Sequence, residues 1–234
     1  MRSIISAWTV GLLSALLPVW PLHSQGPAAH LTDEVSAIRA ELAYSNLALR
    51  GYTWTEHTEV LVKGKLQSAS DAACRYDATG QVVKARLGTN EDPAPANGLS
   101  NRPTVRKKAD QQDYIQRAIT LIGYYIPPSP EQLDLMLARG DASLEHSEPG
   151  KAQIRFKEYH QRGDSMTFTY DPVSKALLRV TVLSTLGSPK DPVSMEAIFE
   201  TLPDGVNHLG STTVTAKSRK IEVKTRNLSY TKAN

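Results

Sequence analysis

The side chains able to do chemistry in this sequence are few. His57 and Glu59 stand two apart in a stretch of alternating polar and apolar residues, so on a strand they share a face. Two ligands fall short of a zinc site, and a wetted strand face accounts for the pair. His30, His146, His160 and His208 are scattered. None has the i, i+4 spacing of a zinc helix, and no His-Glu-x-x-His occurs. Cys74 is the lone thiol and lies inside a strand pattern. There a cysteine behaves as a small buried hydrophobe, and a thiol nucleophile would need a base beside it. One cysteine also excludes an internal disulfide framework. No Gly-x-Ser-x-Gly elbow and no Gly-x-x-x-x-Gly-Lys phosphate loop is present. Asp134 with Asp141, and Glu196 with Glu200, are acid pairs of a kind common on exposed faces. Arg162-Gly163-Asp164 spells an adhesion tripeptide and reads as a hairpin turn; Asn227-Leu228-Ser229 matches a glycosylation acceptor. No catalytic, metal or cofactor site is therefore expected.

The remaining chemistry is burial of apolar surface. Tyr52, Trp54, Val60, Phe156, Phe168, Val180, Val182, Met195, Phe199 and Val223 recur at strand parity, and Ile115, Ile119 and Ile122 at helical spacing. Brought together, they would line a cavity between a sheet and its helices. Aromatic residues make up only 6% of the chain. A lining of Val, Met and Ile suits flexible acyl chains better than stacked planar ligands. The competing reading is that the same side chains simply fill a core.

The elements that must position them follow from period and punctuation. Leu31, Val35, Ile38, Leu42 and Leu49 form one helical stripe that Gly51 ends. Tyr52 opens a period of two, and strands are expected near 52–62, 66–76 and 81–87, with turns at Lys63-Gly64 and at 77–80. Residues 89–103, rich in Pro, Gly and Asn, read as a long loop. A helix is expected from Asp110 to Ile126, stopped by Pro127-Pro128. A shorter one is capped by Ser129, opened by Pro130 and ended by Gly140. From Lys151 onward six strands alternate with short turns, which reads as an antiparallel meander because parallel pairs need long crossovers. The polar face of each strand leaves the sheet apolar on one side only. The whole is expected to be an α+β fold, a curved antiparallel half-barrel sheet of about nine strands with helices over its concave face.

Length and charge bound the rest. The chain has 234 residues, 40% of them hydrophobic, and a net charge of +3. That suits a single domain, and the charge gives no support for nucleic-acid binding. Met1-Arg2, the nearly polar-free run Ile4–Trp20 and the small residues Ser24-Gln25-Gly26 have the three-part layout of a secretory signal peptide. The expected organisation is a signal peptide over 1–26 and one domain over 27–234. The mature protein is then exported, periplasmic or extracellular, with at most transient membrane contact. Arg106-Lys107-Lys108 is a small basic step of the kind that more often solvates a loop, and anionic headgroups are its alternative partner.

The signal peptide, the helix ending at Leu49-Arg50-Gly51, the strand Tyr52-Thr53-Trp54-Thr55, the central helices and the terminal meander resemble the LolA/LolB-like carriers of the bacterial periplasm. The resemblance spans roughly Leu31 to Tyr230 and rests on element order. It implies a half-open barrel whose helix-lidded cavity holds acyl chains or lipoproteins, with the helices moving near Pro127-Pro128 and in 89–103. It carries over no functional residue. The expected function is an exported protein that binds a hydrophobic or lipid-like ligand, such as a lipid or lipoprotein carrier. The alternative is an envelope interaction or scaffold module with a filled core.

Overall fold

The computed structural model describes residues 27–88 and 102–233. The expected signal peptide and most of the expected 89–103 loop lie outside the described residues. Helix α1 (Pro27–Leu49) leads to three strands, β1 (Tyr52–Val62), β2 (Lys65–Tyr76) and β3 (Val82–Leu87). Helices α2 (Arg102–Gly123) and α3 (Pro130–Arg139) follow. Then come β4 (Ala142–Glu148), β5 (Lys151–Lys157), β6 (Ser165–Tyr170), β7 (Leu177–Thr185), β8 (Pro192–Thr201), β9 (Asn207–Ala216), a short 3₁₀ turn (Lys217–Arg219) and β10 (Ile221–Lys232). The ten strands form one open antiparallel sheet, in the order β3-β2-β1-β10-β9-β8-β7-β6-β5-β4. The last strand pairs with the first, so the N-terminal hairpins and the C-terminal meander become one surface. With three helices packed on one face, this is the expected α+β arrangement.

In-register rows show how the apolar face is built. One runs Val60–Val223–Val214–Met195–Val182–Met166–Phe156, from β1 across to β5. Val35 and Ile38 of α1, Tyr114, Ala118 and Ile122 of α2, and Leu133 and Met136 of α3 join the same core. Each Val, Ile, Leu, Met or Phe side chain among them contributes roughly 1.5–3 kcal/mol when fully buried. The next row changes character along its length: Ser70–Thr58–Thr225–Thr212, then Ala197–Val180–Phe168–Ile154. Its hydroxyl half lies on β2, β1, β10 and β9, and its apolar half on β8 to β5. The principal helix–sheet contacts are α1 and α2 on β9 and α3 on β4.

Helix α3 follows its sequence signals closely. The Ser129 hydroxyl accepts from the Gln132 N–H, and Gly140 takes the left-handed conformation that a side chain would oppose. Elsewhere the elements depart from expectation. Helices α1 and α2 begin earlier than their apolar stripes; Pro103 fits the first turn of α2 because its missing N–H would have had no helical partner. Strand β4 makes ten strands among the described residues instead of about nine. Its Ala-Ser-Leu-Glu-His-Ser-Glu sequence has a single large apolar residue, the composition of an edge strand.

Candidate functional site

The thirteen residues expected to line one cavity separate into packed core, core margin, an exposed helix face and an aromatic cluster. Phe156 and Val182 are 0% exposed, and Phe168, Val180 and Met195 no more than 2%. They are packed interior under the helices, with Phe156 and Phe168 edge to face. Val60, Phe199 and Ile115 are half-buried at the margin of that core, whereas Val223 and Ile122 are buried within it. Ile119 is a correction: it is 41% exposed. The buried stripe of α2 is Tyr114, Ala118, Leu121 and Ile122, continued by Tyr125 just past its end. Residue 119 lies more than 90° around the helix from the centre of that stripe, at 100° per residue.

Tyr52 and Trp54 belong elsewhere. Tyr52 packs with Leu49 and Val206 in a second, smaller cluster. Its hydroxyl donates to Asp204, which also faces the Lys232 ammonium at 3.0 Å. The hydrogen bond from Tyr52 and the Lys232 contact hold the Asp204 carboxyl below the usual range. Trp54 stacks on Tyr230, with ring centroids 5.5 Å apart and planes 12° from parallel, and Tyr76 packs on its other flank at 5.4 Å. His208 lies 4.2 Å from the Tyr230 ring. A bulge brings Tyr230 there. Thr53 pairs with Thr231 but Thr55 with Leu228, so Ser229 and Tyr230 stand opposite Trp54 alone. Ser229 takes the left-handed conformation that one class of β-bulge uses, φ 56°. Plain strand alternation does not reveal this change of phase, and the role of Tyr230 is therefore hidden in the sequence.

Between the aromatic cluster and the core margin, the inward face of β1 carries Glu56 and Thr58. Lys84 of β3 reaches Glu56 with its ammonium 2.6 Å from a carboxylate oxygen. Thr58 and Thr225 face each other at 3.3 Å. The Asn227 amide donates to the Leu209 carbonyl, while its Oδ1 is buried without a hydrogen-bond partner. The acceptor motif 227–229 is thus built into the sheet by its asparagine. Strand β2 buries only Cys74, and β3 exposes all six residues. This wing of the sheet combines apolar, hydroxyl and aromatic surfaces with far less cover than β5 to β9. A hollow of about 560 Å³ lies between α1 and the turn into α3, lined in part by Leu42, Pro127 and Leu133.

The polar candidates are structural. His57 sits between Asp71 of β2, at 2.6 Å from Nδ1, and Glu59, at 3.4 Å from Nε2. Hydrogen bonding to Asp71, then to Glu59, raises the imidazole pKa. Burial pushes the Cys74 thiol up, away from nucleophilic character. Asp164 of the tripeptide is 5% exposed and accepts from the Tyr125 hydroxyl at 2.5 Å and from the backbone N–H groups of His160 and Gln161. It closes the β5–β6 turn and is not displayed for adhesion.

A crystal structure of a DUF1329 family protein from Desulfovibrio piger is similar over 86% of this chain and 92% of that one, with 7% sequence identity and a TM-score of 0.43. No protein-family model matches the sequence, and no curated protein matches it.

Proposed function

We propose that this chain is an exported binding protein that holds an amphiphile, such as an acyl chain or the lipid of a lipoprotein, against the sparsely covered wing formed by β2, β1 and β10. One observation carries the reading: the inward rows of the sheet continue past the helices, from Val60 and Val223 through Thr58, Thr225 and Ser70 to Trp54 and Tyr230. Apolar surface at both ends with hydroxyl groups between them matches a ligand that has both characters. Burial would stabilise the complex by roughly 25 cal/mol per Å² removed from water, offset by the cost of association. The LolA/LolB-like element order supports the same reading. The site sits beside the packed core, so Val180, at 1% exposed, serves the fold and not the ligand.

The test is native mass spectrometry and lipid extraction of protein purified from its export compartment, with Thr58→Trp and Ala72→Trp as variants that fill the wing. Wild type is expected to carry lipid and both variants to lose it while remaining folded. Lipid-free wild type, or variants that load normally, would refute the proposal. A second reading, an interaction module without ligand, is favoured by β3. This edge strand leaves Val82, Val83 and Leu87 between 38% and 46% exposed, open to pairing with another chain. That reading predicts a lipid-free preparation.

A further inference from the structure

Away from the concave face, the turns at one end of the sheet concentrate positive charge. The β1–β2 turn presents Lys63 and Lys65, and the link from β9 to β10 presents Lys217, Arg219 and Lys220. The two loops are tied together, because the Lys63 N–H donates to the Lys220 carbonyl at 2.7 Å. The β7–β8 turn, with Lys190, joins them through Asp191, which accepts from the Ser218 hydroxyl. Turn residues 63–65, 190–191 and 217–222 thus carry six cations and two carboxylates, in a chain whose net charge is only +3. Both carboxylates are engaged: Asp191 accepts from the Tyr114 hydroxyl at 2.6 Å, and Glu222 lies 3.2 Å from the Lys224 ammonium. Among the described residues, no carboxylate forms an ion pair with Lys63, Lys217 or Lys220. These three lysines surround a shallow hollow of about 470 Å³ that Thr215 also lines. Leu66, 56% exposed, follows the same turn.

We infer that this rim docks on a membrane surface bearing anionic phospholipid headgroups. The inference does not depend on what the concave face holds. The geometry favours a surface over one bound ion. Four charged residues line the hollow: three lysines, compact point charges on flexible stems, and Glu222, whose carboxylate lies beside Lys224 and opposes a single anion held there; no arginine fork lines it to grip a phosphate in two-pronged fashion. The lysines project from adjacent turn tips, so several can meet a plane of headgroups at once. The attraction is electrostatic and short in range, since the screening length is about 10 Å at 0.1 M salt.

The experiment is co-sedimentation of the full chain with phosphatidylcholine vesicles, with and without phosphatidylglycerol, over a sodium chloride series. The expected result is binding only when phosphatidylglycerol is present, falling steeply with salt. The triple variant Lys63→Gln, Lys217→Gln, Lys220→Gln should bind on the order of a hundredfold more weakly at low salt, about fivefold per lysine. Its circular dichroism should be unchanged, because all three side chains are exposed. Equal binding to neutral vesicles, or a triple variant that binds like wild type, would overturn the inference. So would displacement by inorganic phosphate beyond that caused by chloride at equal ionic strength, which would mark a discrete phosphate site. Lipid carried on the concave face is read separately by extraction without vesicles, so failure of one proposal does not imply failure of the other.

Discussion

His57 illustrates how a residue that looks chemical in the sequence becomes structural in the fold. It is paired across the strand with Asp71 and along the strand with Glu59, and the resulting hydrogen bonds favour the imidazolium. Its pKa in the folded chain lies above the unfolded value, so the stabilisation is complete below the ordinary histidine range. It is lost as pH rises through the raised folded value. An NMR titration should find His57 protonating above the ordinary histidine range, and Asp71→Asn should bring it back down. A His57 titration at or below the ordinary value would contradict the assignment. The sequence revealed that His57 and Glu59 share a face. It could not reveal Asp71, because strand register decides that partner.

At the scale of elements, local signals were read best where they act locally. Ser129, Pro130 and Gly140 define α3 without help from distant residues, since capping satisfies backbone groups of the same helix. Ser129→Ala should destabilise the protein by about 0.5–2 kcal/mol in urea unfolding, through the lost N-cap acceptor. No change in the midpoint would mean that the Ser129 backbone N–H bond to the Tyr159 hydroxyl already fixes this turn. Strand β4 escaped detection for the opposite reason. It is held by pairing with β5, Leu144 opposite Ile154, and its own residues advertise little. A wide apolar stripe on α2 does not say which of its edges faces the sheet, and Ile119 stands on the edge turned outward.

For the whole molecule, the decisive feature is uneven cover. The rows on β5 to β9 lie under the helices and include side chains at 0–2% exposure, whereas β3 is exposed throughout. Amide hydrogen exchange should therefore be slowest on β6, β7 and β8 and much faster on β2 and β3, which open without disturbing the main core. Added ligand on the concave face should slow exchange on β1 and β2 first. Uniform protection across all ten strands would mean that the two wings are equally stable, contrary to the burial pattern.

The sequence by itself determined the class of fold, most strand positions, the third helix and the one-sided polarity of the sheet. Those depend on period, turn chemistry and capping, which act over a few residues. Only the tertiary structure decided that β10 closes against β1, that a bulge at Ser229 turns Tyr230 onto Trp54, and that the apolar set divides into packed core, margin and aromatic cluster. These depend on register and on how far three helices reach across ten strands. Both are settled by contacts between residues far apart in the chain, such as Trp54 with Tyr230 and Arg39 with Asp134, which leave no local trace.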